Sequence, residues 1–108
     1  MPRTPKATEK YKKMETNVKH DKEAQEFIVV LEVEQAELAY ALPEDDVIDF
    51  QHTFVPENFR NEGIANELIK CGLEYAKDQK FRVIASCPAV SAYIRRNKEY
   101  QTLLKNFL

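Results

Sequence analysis

His52-Thr53-Phe54-Val55-Pro56-Glu57-Asn58-Phe59-Arg60-Asn61-Glu62-Gly63-Ile64-Ala65 is the stretch whose reading decides the fold. An apolar run from Val47 to Val55 stops at Pro56, a polar turn follows, and a pattern of helical period begins after Gly63. That order is strand, turn, helix. A strand that feeds a loop at a helix N-terminus makes an anion site, because unpaired backbone N–H groups point outward and the helix dipole adds partial positive charge. Arg60 adds a full charge. The chain has two glycines. Gly63 is placed where a backbone must approach a ligand closely or adopt a conformation closed to other residues.

Outward from this stretch, the pattern on both sides is regular. Upstream, Glu15–His20 is a short strand candidate, Glu26–Val33 is a β-prone block, and Glu37–Leu42 is a third strand. Glu34-Gln35-Ala36 separate the last two, which predicts a hairpin. Leu42-Pro43-Glu44-Asp45-Asp46 is a turn by its proline and acidic residues. Val47–Val55 then runs antiparallel to its predecessor, and strict alternation places Phe50, His52 and Phe54 on one face, with Gln51, Thr53 and Val55 on the other. Downstream, a helix over 62–78 presents Ile64, Leu68, Cys71 and Tyr75 on one face, and Gly72 within it predicts close packing on the sheet. Phe81–Ser86 is the next strand, parallel to the one before the helix by a right-handed crossover. Cys87-Pro88 opens a helix to about Asn97, and 99–108 is a last amphipathic helix anchored by Leu103, Leu104, Phe107 and Leu108. The fold class is therefore α/β with a mixed sheet, antiparallel at first and parallel at the crossover.

Length and composition bound the function. One hundred and eight residues make one domain, with 44% hydrophobic and 31% charged content. No apolar run reaches the length of a membrane span, and the N-terminal residues do not have the pattern of a signal peptide, so a cytoplasmic protein with no membrane partner is expected. Cys71 and Cys87 lack metal spacing and are expected as reduced thiols. Together with His20 and His52 they form no metal motif, so none is expected. Residues 1–13 carry a net +4 and the rest a net −6. The first segment is expected to be a disordered basic tail, and residues 14–108 the single domain. Without aromatic residues interleaved among its cations, the tail gives little ground for nucleic-acid binding. The acidic body favours basic or amine-bearing partners at long range, or simply keeps the protein soluble. Glu44-Asp45-Asp46 lie in the turn leading into the central strand and add to the case for a cationic acceptor.

Three blocks carry a resemblance to a known family. The Arg60–Ala65 loop, R-x-x-G-x-A after a strand, resembles the acetyl-CoA pyrophosphate loop of GNAT N-acetyltransferases, which read Q/R-x-x-G-x-G/A. With His52-Thr53-Phe54-Val55-Pro56 and Cys87-Pro88-Ala89-Val90-Ser91-Ala92-Tyr93-Ile94-Arg95-Arg96, it resembles a small GNAT-like branch with H-T-x-V-P, R-x-x-G-I-A/G and C-P-x-V-x-x-Y-I-R-R in that order. The match spans residues 14–100. It implies a minimal GNAT fold and transfer of an acetyl group from acetyl-CoA to an amine, a small one or a lysine of a peptide or protein, by a monomer or weak dimer. It also implies that the backbone of Phe54 and Val55 pairs with the pantetheine arm, that Asn61, Glu62, Gly63, Ile64 and Ala65 hold the pyrophosphate with Arg60 assisting, and that Arg95 and Arg96 hold the nucleotide phosphate or are plain surface charge. Asp21–Gln25 leaves no room for the helices that GNAT domains insert between their first strands, and the strands that follow their second core helix are absent, so the acceptor pocket is expected to be shallow or open.

Catalytic candidates follow. His52 is the base candidate, since an imidazole suits proton removal near neutral pH, or it is a satisfied core histidine between two phenylalanines. Cys87, at a helix N-terminus, is expected to be solvent-reachable and more reactive than Cys71. Acetyl carrier, proton donor to the leaving thiolate and small buried hydrophobe are its competing roles. Tyr93 is a leaving-group acid by the resemblance, or core packing. A different class stays open beside the enzyme: a CoA-binding or interaction module that keeps the fold without turnover.

Overall fold

The computed structural model describes residues 17–106. The basic-tail segment 1–13, Glu15 and Thr16 of the first strand candidate, and the anchors Phe107 and Leu108 lie outside the described residues. The chain runs β1 (Lys19–Asp21), β2 (Glu26–Leu31), β3 (Glu34–Glu44), β4 (Val47–Phe54), a 3₁₀ turn (Glu57–Phe59), α1 (Ile64–Gln79), β5 (Arg82–Ala85), α2 (Pro88–Arg96) and a second 3₁₀ segment (Lys98–Leu103). The sheet order is β1-β2-β3-β4-β5. The first three pairings are antiparallel and β4–β5 is parallel.

Both long hairpins are tighter than expected. Leu31 faces Glu34 in register, so only Glu32 and Val33 form the loop, and Glu34, Gln35 and Ala36 belong to β3. Glu32 takes the left-handed conformation that closes it, at φ 55°. Glu44 faces Val47, leaving Asp45-Asp46 as the second loop. Pro43 therefore sits within β3. It has no N–H for the ladder, and the pairing is irregular between Ala41 and Glu44. This acidic turn lies at the far end of β4 from Phe54. Seven residue steps separate Val47 from Phe54, roughly 23 Å at the strand rise.

The face assignment of β4 needs correction. Tyr40 pairs with Phe50, but the next residue back on β3, Ala39, pairs with His52, so Gln51 is an extra, bulged residue. A bulge reverses the alternation beyond it. Phe50 and Thr53 consequently share the helix-covered face, in register with buried Tyr40 and Leu38, whereas His52 and Phe54 turn to the other.

Helix α1 crosses over from β4 to β5, burying Ile64, Leu68, Ile69, Leu73 and Ala76. Gly72 lets it lie against the sheet: a Cβ there would stand 2.8 Å from Phe50 Cε1 and 3.0 Å from Leu38 Cδ2. α2 makes the next crossover, since Val83 forms a parallel bridge with Leu104. Two right-handed crossovers advancing in one direction place both helices on one face. Consistent with this, Tyr100 Oη donates to Glu74 Oε2 of α1 at 2.6 Å. The expected last α-helix is instead the 3₁₀ segment. Leu104 is extended, and the Lys105 N–H donates to the Val83 carbonyl at 2.8 Å, so pairing with β5 outweighs helical periodicity. No helix among the described residues lies on the opposite face of the sheet. At the β1 end, His20 stacks on Phe27 at 4.1 Å and shares a 2.6 Å hydrogen bond with Tyr40 Oη. Burial, with the Lys22 charge second, holds its imidazole below the ordinary 6.5.

Candidate active site

The loop between β4 and α1 is shaped by two residues in the left-handed region. Asn61 has φ 68°, and Gly63, the N-cap of α1, has φ 81° and ψ 7°. Asparagine tolerates this conformation and glycine adopts it freely. No side chain caps α1, so the amides of its first turn keep the N-terminal positive end unmasked, and only Glu67 N–H turns back to the Gly63 carbonyl, at 3.1 Å. Arg60 is drawn onto the same loop. Its Nε–H donates to the Val55 carbonyl at 2.9 Å, which ties the guanidinium to the end of β4. These residues enclose a cleft of about 390 Å³, lined by Thr53, Val55, Phe59, Arg60, Asn61, Gly63, Ile64, Ala65, Asn66 and Ala89.

The cleft lies where the parallel strands part. β4 and β5 are in register only from Val47–Arg82 to Phe50–Ala85. The Cys87 N–H closes this pairing by donating to the Phe50 carbonyl at 2.9 Å. Beyond it β5 turns into α2 while β4 continues, leaving the β5 side of residues 51–54 outside the parallel ladder. Thr53 and Ala89 face each other as cleft walls from the two elements. Behind Thr53 stands Cys87, with Thr53 Oγ1 3.2 Å from Cys87 Sγ.

Of the expected cofactor-binding residues, Val55, Arg60, Asn61, Gly63, Ile64 and Ala65 line one cleft together. Glu62 and Phe54 are exposed beside it. Arg95 is not there: it donates to Ser91 Oγ at 3.3 Å and lines a separate cavity of about 120 Å³ with Ala85, Ile94 and Leu104. The reason is helical geometry, since Ala89 and Arg95 are six residues apart and point to different sides of α2. Arg96 is exposed at the end of that helix.

The catalytic candidates divide across the sheet. His52 is exposed on the helix-free face, so the bulge corrects its expected sharing of a face with Phe50 and removes the alternative of a core histidine. Cys87 is 5% exposed and Cys71 more open. That reverses the expected order of accessibility: Cys87 belongs to the buried core, its sulfur against Thr53, whereas Cys71 on α1 is only partly buried. Tyr93 is half-buried on α2, its ring 6.0 Å from that of Tyr100. Burial, then the carboxylates of Glu67 and Glu99, raise its hydroxyl above the usual tyrosine value, so it stays protonated. Tyr100 is raised as well, by burial and by its bond to Glu74. Glu67, a buried carboxylate one residue past the cleft-lining Asn66, was not visible as a site residue in the sequence. Thr53 was missed because alternation placed it on the wrong face. No group of three metal-ligating side chains occurs among the described residues, and no described helix is long and apolar enough to cross a membrane.

Comparison with known proteins agrees with this arrangement. The family model described as GCN5-related N-acetyl-transferase matches residues 26–103. Protein NATD1 of Homo sapiens is 30% identical over 82 residues, covering 74% of this chain and 73% of that protein. The Danio rerio protein of the same name is 28% identical over 88 residues, covering 80% of each. Among solved structures, a GCN5-like protein of Staphylococcus aureus determined by NMR superposes with a TM-score of 0.66 at 22% identity, over 81% of this chain and 85% of that one. That structure shares the fold. The cleft at the strand divergence, the loop that forms it and the match over most of the chain lead to one conclusion: the chain belongs to the GCN5-related N-acetyltransferase family.

Proposed function

We propose that the chain, as a single domain over residues 14–108, is an N-acetyltransferase that moves an acetyl group from acetyl-CoA to an amine. The observation that carries this reading is the uncapped N-terminus of α1, which opens into a cleft walled by the left-handed Asn61 and Gly63 and by Arg60. Such a cradle fits the pyrophosphate of CoA: backbone donors and a fixed guanidinium meet two negative charges without a carboxylate in the lining. The β5 side of residues 51–54 supplies backbone groups for the pantetheine arm.

His52 takes the proton of the incoming ammonium, directly or through water. The freed amine nitrogen forms the C–N bond as the thioester C–S bond breaks, and Tyr93, kept protonated by its burial, supplies the proton that the departing sulfur needs. A backbone N–H of β4 beyond the bulge stabilises the carbonyl oxygen. Cys87, buried and hydrogen-bonded to Thr53, fits a wall of the reaction gap better than an acetyl carrier.

The test is acetyl-CoA turnover with a primary amine, alongside calorimetry with CoA. His52→Ala is expected to lower kcat/KM about a hundredfold or more at unchanged CoA affinity, the usual scale for loss of a general base. CoA binding by the wild type without any turnover would leave a binding module; no CoA binding would remove the reading altogether.

A further inference from the structure

The sheet face turned away from α1 and α2 has a pattern of its own. Across the strands in register, one row reads Asp21, Glu26, Ala39, His52, and the next reads Lys19, Ile28, Glu37, Phe54. Asp49 lies further along β4, opposite Ala41. Among the described residues, Asp21, Glu26, Glu37 and Asp49 thus share the face with Lys19, and Arg82, in register with Val47 at its far end, adds a guanidinium held by the Leu104 and Lys105 carbonyls. Burial raises the Glu26 carboxyl above its usual range, and the charged neighbours that act on it, Glu37 and Asp21, push it the same way. Asp49 Oδ1 is buried without a hydrogen-bond partner among the described residues. Beside these acids apolar side chains are left in the open: Val30 is 55% and Phe54 42% exposed. A bare sheet face that combines apolar side chains with an excess of carboxylates is complementary to a partner carrying cations on an extended chain.

Position matters as much as charge. His52 and Phe54 bring this face to the gap where β4 and β5 part, and the cleft for the donor opens on the opposite side through Thr53. Strands lie about 4.8 Å apart, so the backbone of Glu37 is about one strand spacing from Phe54 and that of Glu26 about two from His52. An extended segment covers roughly 3.3–3.6 Å per residue. Basic residues one to three positions from a lysine at the gap therefore come over Glu37 and Glu26. A small metabolite needs enclosure on several sides, which a flat, helix-free face does not give.

Building on the acetyl-transfer reading above, we infer that the helix-free face of the sheet is the acceptor's docking surface and that the acceptor is a basic segment of another protein, delivering a lysine to the β4–β5 gap with Glu26 and Glu37 reading its flanking cations. The test pairs two synthetic peptides, one lysine flanked by arginines and the same lysine flanked by glutamates, with wild-type protein and the double variant Glu26→Gln, Glu37→Gln. Acetyl-CoA is the donor. For the arginine-flanked peptide, kcat/KM is expected to fall about fivefold or more in the variant and the glutamate-flanked peptide to gain, while calorimetric CoA affinity stays at the wild-type value. Binding is also read without turnover, from amide shifts of labelled protein on adding the arginine-flanked peptide. The largest shifts are expected at Ile28, Glu37, Ala39 and Phe54. Equal losses for both peptides, shifts elsewhere, a linear polyamine turned over faster than either peptide, or concentration-dependent shifts of this face without peptide (a second copy as occupant) would each overturn the assignment. Retained CoA binding and peptide shifts without acetyl transfer would instead strike the catalytic reading and leave the docking surface standing.

Discussion

Replacing Gly63 by alanine tests the anion cradle directly. Gly63 holds φ 81° and ψ 7° as the N-cap of α1, and a residue with a Cβ loses about 1–2 kcal/mol in that region. The chain has two ways to respond. If the loop keeps its shape, the whole strain appears as lost stability, and the melting temperature falls by about 4–8 °C for each kcal/mol in a domain of this size. If φ relaxes to negative values, the peptide planes on either side of residue 63 turn, and the 3.1 Å bond from Glu67 N–H to the Gly63 carbonyl breaks with the first turn of the helix. Cleft amides then point elsewhere. A hydrogen bond to a charged group contributes about 1.5–3 kcal/mol, so losing one lowers CoA affinity about tenfold to a hundredfold. Calorimetry with CoA and a thermal melt on the same sample separate the two responses. Asn61→Gly is the control: it keeps the left-handed position open, and its CoA affinity is expected to match the wild type. Wild-type CoA affinity together with an unchanged melting temperature in Gly63→Ala would refute the reasoning, because the strain would then appear in neither readout.

Other consequences are simpler to measure. Gly72→Ala is expected to destabilise by about 1 kcal/mol in a denaturant titration: overpacking against the fully buried Phe50 and Leu38 costs about 1–3 kcal/mol, and helix propensity returns about 1; a more stable variant would show that the helix moves away freely. Thiol labelling followed by mass spectrometry should modify Cys71 first and reach Cys87 only on unfolding, and early labelling of Cys87 would contradict its burial. The imidazole of His20 is lowered in the folded state, so the unfolded chain binds its proton first as the medium is acidified. Its contribution to stability is full above pH 6.5 and is lost as the pH falls from there through the lower folded value. His20→Phe should flatten that part of a melting-temperature profile between pH 7 and 5, and an unchanged slope would assign the acid sensitivity elsewhere.

The elements visible in advance were those with one dominant local cause. Pro56, Gly63 and Pro88 punctuate the chain whatever surrounds them, and the apolar period of α1 is long enough to survive tertiary adjustment, so the β4–α1–β5 crossover and the loop that lines the cleft were legible. What escaped depended on pairing between distant residues. Gln51 has no feature that marks it as bulged; it is one of two offsetting irregularities, with an extra residue on β4 here and one on β3 between Ala41 and Glu44. Leu104 fits a helical face well, yet the open edge of β5 offers it a better partner. The depth of Cys87 follows from where α2 settles, which a helix N-terminus in sequence does not state. Thr53 and Glu67 escaped for the same reason: each owes its place to a neighbour on another element.

The bulge at Gln51 also makes that residue dispensable for the direction in which its neighbours face. The side chain of Gln51 is exposed and reaches only Asp49, at 3.4 Å, so most substitutions there should pass unnoticed. Deleting the residue joins Phe50 to His52 and makes the ladder regular, Tyr40 with Phe50, Ala39 with His52 and Leu38 with Thr53, so every side chain keeps the face it already holds. One codon removed at this position would thus take away the local bend and extra twist of the strand, while the inside and the outside of the reaction gap stayed as they are.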